Sequence, residues 1–388
     1  MDNAAPPRSA GVVDDGQRAA GDELTARYSA NRGAIVVERG RLEALADTLR
    51  TAGAPRPATP GAHVVVDARD DAVVGRVLHG CFHVARLVDK ALAEDLLGER
   101  VDLDDDSFLD AARAQDTIDH LSSRRSVVHE WGEEELAALL GELDAGIALL
   151  TQLAGDDRQV LLFDPSGPGM IVEVFGELLV ARHVAIVVPG MGTTVQNFEV
   201  SVADRARRLH RAASAHSSAP SVAVLAWLGY RAPGGLDLFD AAAERLAADG
   251  ASALSTFVAD LAGRTPSAHC SVVAHSYGSV VAGLAAHLHG LPVEDLVVLG
   301  SPGLGVAHAS DLRLKPDGRV WAVRARHDPV TDVPSLQVGA VRLHGTSPYD
   351  VAFGCRIVAI DSEGHSSYLT GDDGVGVVAR IVIGEDPR

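Results

Sequence analysis

Six short apolar runs in the second half of the chain restrict what it can fold into. They are HVAIVV (183–188), SVAVLAWLGY (221–230), CSVVAH (270–275), DLVVLG (295–300), RVWAVRAR (319–326) and CRIVAID (355–361). Each is too short for a helix and rich in residues that favour strands. Segments of helical character separate them, LFDAAAERLAADGASALSTFVADLAG above all. Buried strands alternating with helices specify a mostly parallel sheet covered on both faces. Ahead of them, QVLLF and IVEVFGELLVA flank DPSGPGM and read as an antiparallel hairpin at one edge. Ligand sites in such sheets lie beyond the carboxyl ends of the strands.

The first half has a different period. Residues 1–20 are polar with Pro, Gly and Ala, and read as a disordered tail. Residues 21–156 read as an all-helical N-terminal region. Its helical patterns run over Glu23–Ala52, Val74–Glu99, Ser107–Leu121 and Glu133–Ala154, the last with Leu136, Leu139, Leu140 and Leu143 at helical spacing. Residues 157–388 form the α/β domain. A chain of 388 residues accommodates two such units, and 47% hydrophobic residues suffice for a large core. A net charge of −19 disfavours a nucleic-acid or anionic-membrane surface. Acidic residues interrupt the N-terminus, so no signal peptide is expected, and no run approaches the roughly 18 apolar residues of a membrane span. Three scattered cysteines argue for a reducing compartment, so a cytoplasmic location is expected.

Three strand ends carry candidate chemistry. In SVVAHSYGSVVAG (271–283), β-branched residues lead into Ser276, and a small-residue helical pattern follows. A nucleophile elbow is a strained strand-to-helix turn that lifts a Ser hydroxyl above the sheet. It needs small residues two before and two after the Ser, here Ala274 and Gly278. An ordinary turn containing Ser is the plain alternative; the flanking strand and helix favour the elbow. In VVPGMGTTVQNF (187–198), Gly190 and Gly192 let backbone turn toward a substrate. An oxyanion needs two N–H donors, and the candidates are Met191 from this loop and Tyr277 just after the Ser. RVWAVRAR ends at HDPV, which puts Asp328 past a strand end. CRIVAID leads into SEGHSSYL, which puts His365 on the next loop. Ser276, Asp328 and His365 thus follow the order nucleophile, acid, base. Asp332 is the reserve acid. His327 and His344 fit the base position less well.

Taken together, VVPGMGTT, WLGY, AHSYGS, GSPG, HDPV and HSSYL resemble the DUF1023-type α/β-hydrolases, found mainly in actinobacteria. The resemblance covers roughly 159–384. It implies the α/β-hydrolase fold and a serine hydrolase with Ser276, Asp328 and His365 as its triad. Ala274 departs from the family's first elbow Gly, and Arg231 stands where the family carries an acidic residue.

Other signals carry less. DLDDDSFLD (102–110) begins like a calcium loop but has Ser107 and Arg113 where Gly and Glu belong, so it reads as an acidic helix start. His79 and His83 share a helical face near Cys81, without a further ligand. No metal and no cofactor are expected. The leading expectation is an esterase- or lipase-like enzyme acting on a small molecule with an apolar acyl chain. A thioesterase, amidase or acyltransferase on the same triad, or a non-catalytic scaffold, is the alternative. The N-terminal helices are expected to pack on the α/β domain as a lid or as a surface for oligomers.

Overall fold

A computed structural model of the protein describes residues 15–52, 62–66, 127–131, 133–165, 169–216, 221–233, 241–332 and 346–387. Its centre is an eight-stranded sheet. The strands are β3 (Gln159–Asp164), β4 (Met170–Phe175), β5 (His183–Val188), β6 (Val222–Leu228), β7 (His269–His275), β8 (Asp295–Leu299), β9 (Arg319–Arg326) and β10 (Arg356–Glu363). Their order is β10-β9-β8-β7-β5-β6-β4-β3. Strand β4 pairs antiparallel with both β3 and β6, and the other pairs are parallel. The hairpin therefore forms one edge, as its turn chemistry predicts. The IVEVFGELLVA run stops being a strand at Phe175. Gly176 has φ +97°, and a Cβ there would lie 2.4 Å from the Val222 carbonyl, so the chain turns out of the sheet.

Alternation along each strand splits the core in two. Ala185 and Val187 of β5 face one side; Val184, Ile186 and Val188 face the other. Helices α1 (Asp15–Ala52), α2 (Glu133–Leu153), α3 (Asp204–Ser214) and α6 (Asp372–Val382) supply residues to the first cluster. Helices α4 (Ala241–Arg264) and α5 (Tyr277–Leu284) supply the second. Helices on both faces of this sheet make the α/β-hydrolase fold.

Helix α1 crosses the outer edge of the sheet. Leu24 and Tyr28 pack against one cluster, while Ile35 is fully buried in the other. Where the helix passes β3, Asn31 Nδ2 donates to the Val160 carbonyl at 2.8 Å. Arg264 of α4 donates to Glu23 at 2.9 Å. An edge strand with open carbonyls invites pairing with other chains, and α1 covers it. Helices α1 and α2 thus pack on the α/β domain.

Two expectations for the first half need correction. It is not all-helical, because β1 (Ala62–Val66) and β2 (Val127–Trp131) pair antiparallel, Ala62 opposite Trp131. Val-rich five-residue runs favour strands, but their separation in sequence hid the pairing. Helix α1 begins at Asp15, inside the stretch read as a tail and ahead of the expected Glu23. DGQRAAGDE is polar but contains good helix formers and begins with an acid, which suits a helix N-terminus. The helices expected at Val74–Glu99 and Ser107–Leu121, the calcium-like run and His79, Cys81 and His83 lie outside the described residues. Among the described residues no helix is long and apolar enough to cross a membrane.

Candidate active site

Strand β7 ends at His275, and α5 starts at Tyr277, so one residue makes the whole turn. Ser276 has φ 55° and ψ −127°, a conformation costly for a residue with a Cβ. Its N–H donates to the Leu299 carbonyl at 2.9 Å, and its carbonyl accepts from the Ser279 N–H at 2.9 Å. Neighbouring elements therefore hold the strain in place. A Cβ on Gly278 would lie 2.4 Å from the Pro189 carbonyl, so that position admits only Gly. Ala274 is fully buried within β7, opposite Val188 and Val298, and its methyl belongs to the core. The two small positions of the turn are unequal: the one on the helix is strict, and the one on the strand accepts a methyl.

The three strand ends meet. His365 Nδ1 lies 3.0 Å from both carboxylate oxygens of Asp328, and His365 Nε2 lies 2.8 Å from Ser276 Oγ. A donor at Nδ1 leaves Nε2 as the acceptor, so the Ser hydroxyl donates to it. Asp328 is completely buried. It follows His327, whose φ of 53° turns the chain sharply off β9. Besides His365, its carboxylate accepts from the Val330 N–H at 2.9 Å and from Tyr368 Oη at 2.5 Å. Burial pushes the Asp328 carboxyl up, but these donors outweigh it and hold it below the usual carboxylate range. His327 itself is exposed and sits 3.9 Å from Glu363. Asp332 ends a short helical turn (Pro329–Asp332), and its side chain lies outside the described residues, as does His344.

The loop after β5 packs directly on the turn. A Cβ on Gly190 would lie 2.9 Å from the Ser276 Cβ. Met191 follows in the chain and is 40% exposed. The Gly192 N–H donates to the Pro233 carbonyl at 3.0 Å. Asn197 ties the loop to itself, donating to the Gly192 carbonyl at 2.8 Å and accepting from the Thr194 N–H at 2.9 Å. Tyr277, whose N–H opens α5, is buried, and its ring stacks on Tyr230. Tyr230 Oη donates to the Pro189 carbonyl at 2.8 Å, which fixes the start of the same loop.

Three contributors escape a reading of strand ends. Gly300 has φ +55°, and a Cβ there would come within 2.7 Å of Asp328 Oδ2 and 2.9 Å of His365 Nδ1. Its missing side chain is the space in which that hydrogen bond forms. His275 lies behind the turn, and its Nε2 donates to the His365 carbonyl at 2.8 Å. Burial, and then the nearby His365, push the His275 imidazole down to about 3, so it is neutral. Tyr368 is the third. AHSYGS, GSPG and HSSYL contain these residues, but their contacts cross between loops that only folding brings together.

Loop 301–314 spends its apolar residues on the core. Leu304, Val306 and Leu312 are buried there.

A family model described as "Alpha/beta hydrolase" matches residues 164–338. An uncharacterized protein of Mycobacterium tuberculosis is 32% identical over 214 residues, which is 52% of this chain and 73% of that one. The chain belongs to the α/β-hydrolase family. A second uncharacterized M. tuberculosis protein is 32% identical over 180 residues, covering 45% of this chain and 27% of that one. A crystal structure of a carboxylesterase from Mesorhizobium loti covers 55% of this hydrolase chain and 95% of its own, at 16% identity and TM-score 0.36. The segment matched by the hydrolase family model contains Ser276 and Asp328. His365 lies beyond it, so its place beside them rests on the geometry of the β10–α6 loop.

Proposed function

We propose that the protein is a serine hydrolase that cleaves a carboxylic ester through an acyl-enzyme, with Ser276 as nucleophile, His365 as base and Asp328 as the acid that orients it. The observation that carries this reading is the 2.8 Å contact between Ser276 Oγ and a His365 ring oriented by a buried carboxylate. Ser276 Oγ attacks the ester carbonyl carbon as its proton passes to His365 Nε2. The oxyanion accepts from the Met191 and Tyr277 N–H groups. The tetrahedral intermediate expels the alcohol, which takes the proton back from His365. Water then repeats the sequence and releases the carboxylic acid. The finer likeness to DUF1023-type hydrolases belongs to this reading, and so do an apolar acyl chain, a cytoplasmic location and oligomers through the N-terminal helices.

A panel of p-nitrophenyl esters of increasing acyl length tests the reading, with thioester and anilide analogues beside it. Hydrolysis of the esters should exceed that of the analogues. Ser276→Ala should lower turnover on the order of a million-fold. Asp328→Asn should lower it about ten-thousand-fold. Preference for the thioester or the anilide would replace the esterase assignment. Activity retained in Ser276→Ala would overturn the whole reading.

A further inference from the structure

We infer that Tyr368 is a positioning residue, which acts through Asp328 to set how strongly the carboxylate holds His365. The inference rests on the serine-hydrolase reading above. Tyr368 is buried to 1% exposure. Its hydroxyl has one proton and two polar neighbours. The Ala325 N–H donates to it at 3.1 Å, so its own proton goes to Asp328 Oδ2 at 2.5 Å. The ring cannot move aside easily. It lies 5.8 Å from the His275 ring, which in turn lies 4.8 Å from the His365 ring, and its Cε2 faces Gly300. Asp328 Oδ1 is held independently by the Val330 N–H. The Val330 N–H and the Tyr368 hydroxyl thus each hold one carboxylate oxygen, and His365 Nδ1 meets both.

The Tyr368 hydroxyl does two things to that carboxylate. It stops rotation about the Cβ–Cγ bond, which would carry the oxygens away from Nδ1. It also draws off part of the negative charge that would otherwise stabilise an imidazolium on His365. Among the described residues, the ionisable groups around this pair include His275 from β7, Tyr349 from the segment before the Val351–Phe353 turn, and Arg205 from α3, close enough to His275 to disfavour its protonation.

Tyr368→Phe keeps the ring and removes only the hydroxyl. In ester hydrolysis its kcat should fall about ten- to a hundredfold with KM within about twofold, the size expected for one hydrogen bond to a charged group. The acidic limb of its kcat profile should move to higher pH, because a carboxylate relieved of one donor attracts the imidazolium more strongly. Tyr349→Phe is the control. It removes a buried hydroxyl bonded to the Ser301 N–H at 2.8 Å and the Val323 carbonyl at 3.3 Å, and should keep the wild-type limb. A second readout needs no turnover: the downfield proton NMR signal of the His365 Nδ1–H···Asp328 bond should move in Tyr368→Phe. Wild-type hydrolysis with an unmoved limb and an unmoved proton signal overturns the inference, as does an equal shift of the limb in Tyr349→Phe. A moved signal in a protein that hydrolyses no ester upholds the Tyr368–Asp328 coupling and overturns the hydrolase reading instead.

Discussion

At the scale of the residue, His275 carries a measurable signature. An unfolded histidine takes up a proton near pH 6.5, whereas buried His275 resists doing so until about pH 3. The unfolded state therefore binds more protons between these values. The stability contributed by neutral His275 is complete above about pH 6.5 and is lost as pH falls through that window. His275→Gln removes this titration and keeps a donor in reach of the His365 carbonyl. Between pH 7 and pH 5 the wild type should lose about 2 kcal/mol more unfolding free energy than the variant, read from urea denaturation at each pH. Equal losses in the two proteins would show that His275 is not the buried neutral group described. The same residue marks where a sequence stops informing. Ser276, Asp328 and His365 could be singled out because each follows a strand, and strand ends and chain order are properties of sequence. His275, Gly300 and Tyr368 act through contacts between loops, and no period or spacing encodes those.

At the scale of the element, the parallel strands announced themselves, because burial on both faces demands unbroken apolar runs. Strands β1 and β2 did not, since two isolated five-residue runs resemble any Val-rich turn. Helix α1 illustrates a subtler limit. Its helical pattern is plain, yet nothing in that pattern says that it crosses a sheet edge. Asn31 reads as an ordinary surface residue until Val160 stands opposite it. Ile35, fully buried where the helix descends onto the first core cluster, should be a principal anchor. Ile35→Ala should cost about 2–4 kcal/mol in a denaturant melt. A change below about 0.5 kcal/mol would mean that α1 does not dock on the sheet as described.

At the scale of the whole molecule, the fold concentrates its chemistry at one end of the sheet. Strands β5, β7, β9 and β10 each deliver one part there: the Gly loop, the Ser turn, the buried acid and the His loop. Each part alone has an ordinary structural explanation, and their convergence is what favours an active site. The central claim is that this convergence makes Ser276 a nucleophile. The most direct measurement is peptide mapping by mass spectrometry after treatment of the intact chain with a fluorophosphonate. The account predicts a single adduct on Ser276, its absence in Ser276→Ala, and strongly slowed labelling in His365→Ala. A wild-type protein that takes up no probe, or an adduct that persists at another residue in Ser276→Ala, would contradict it.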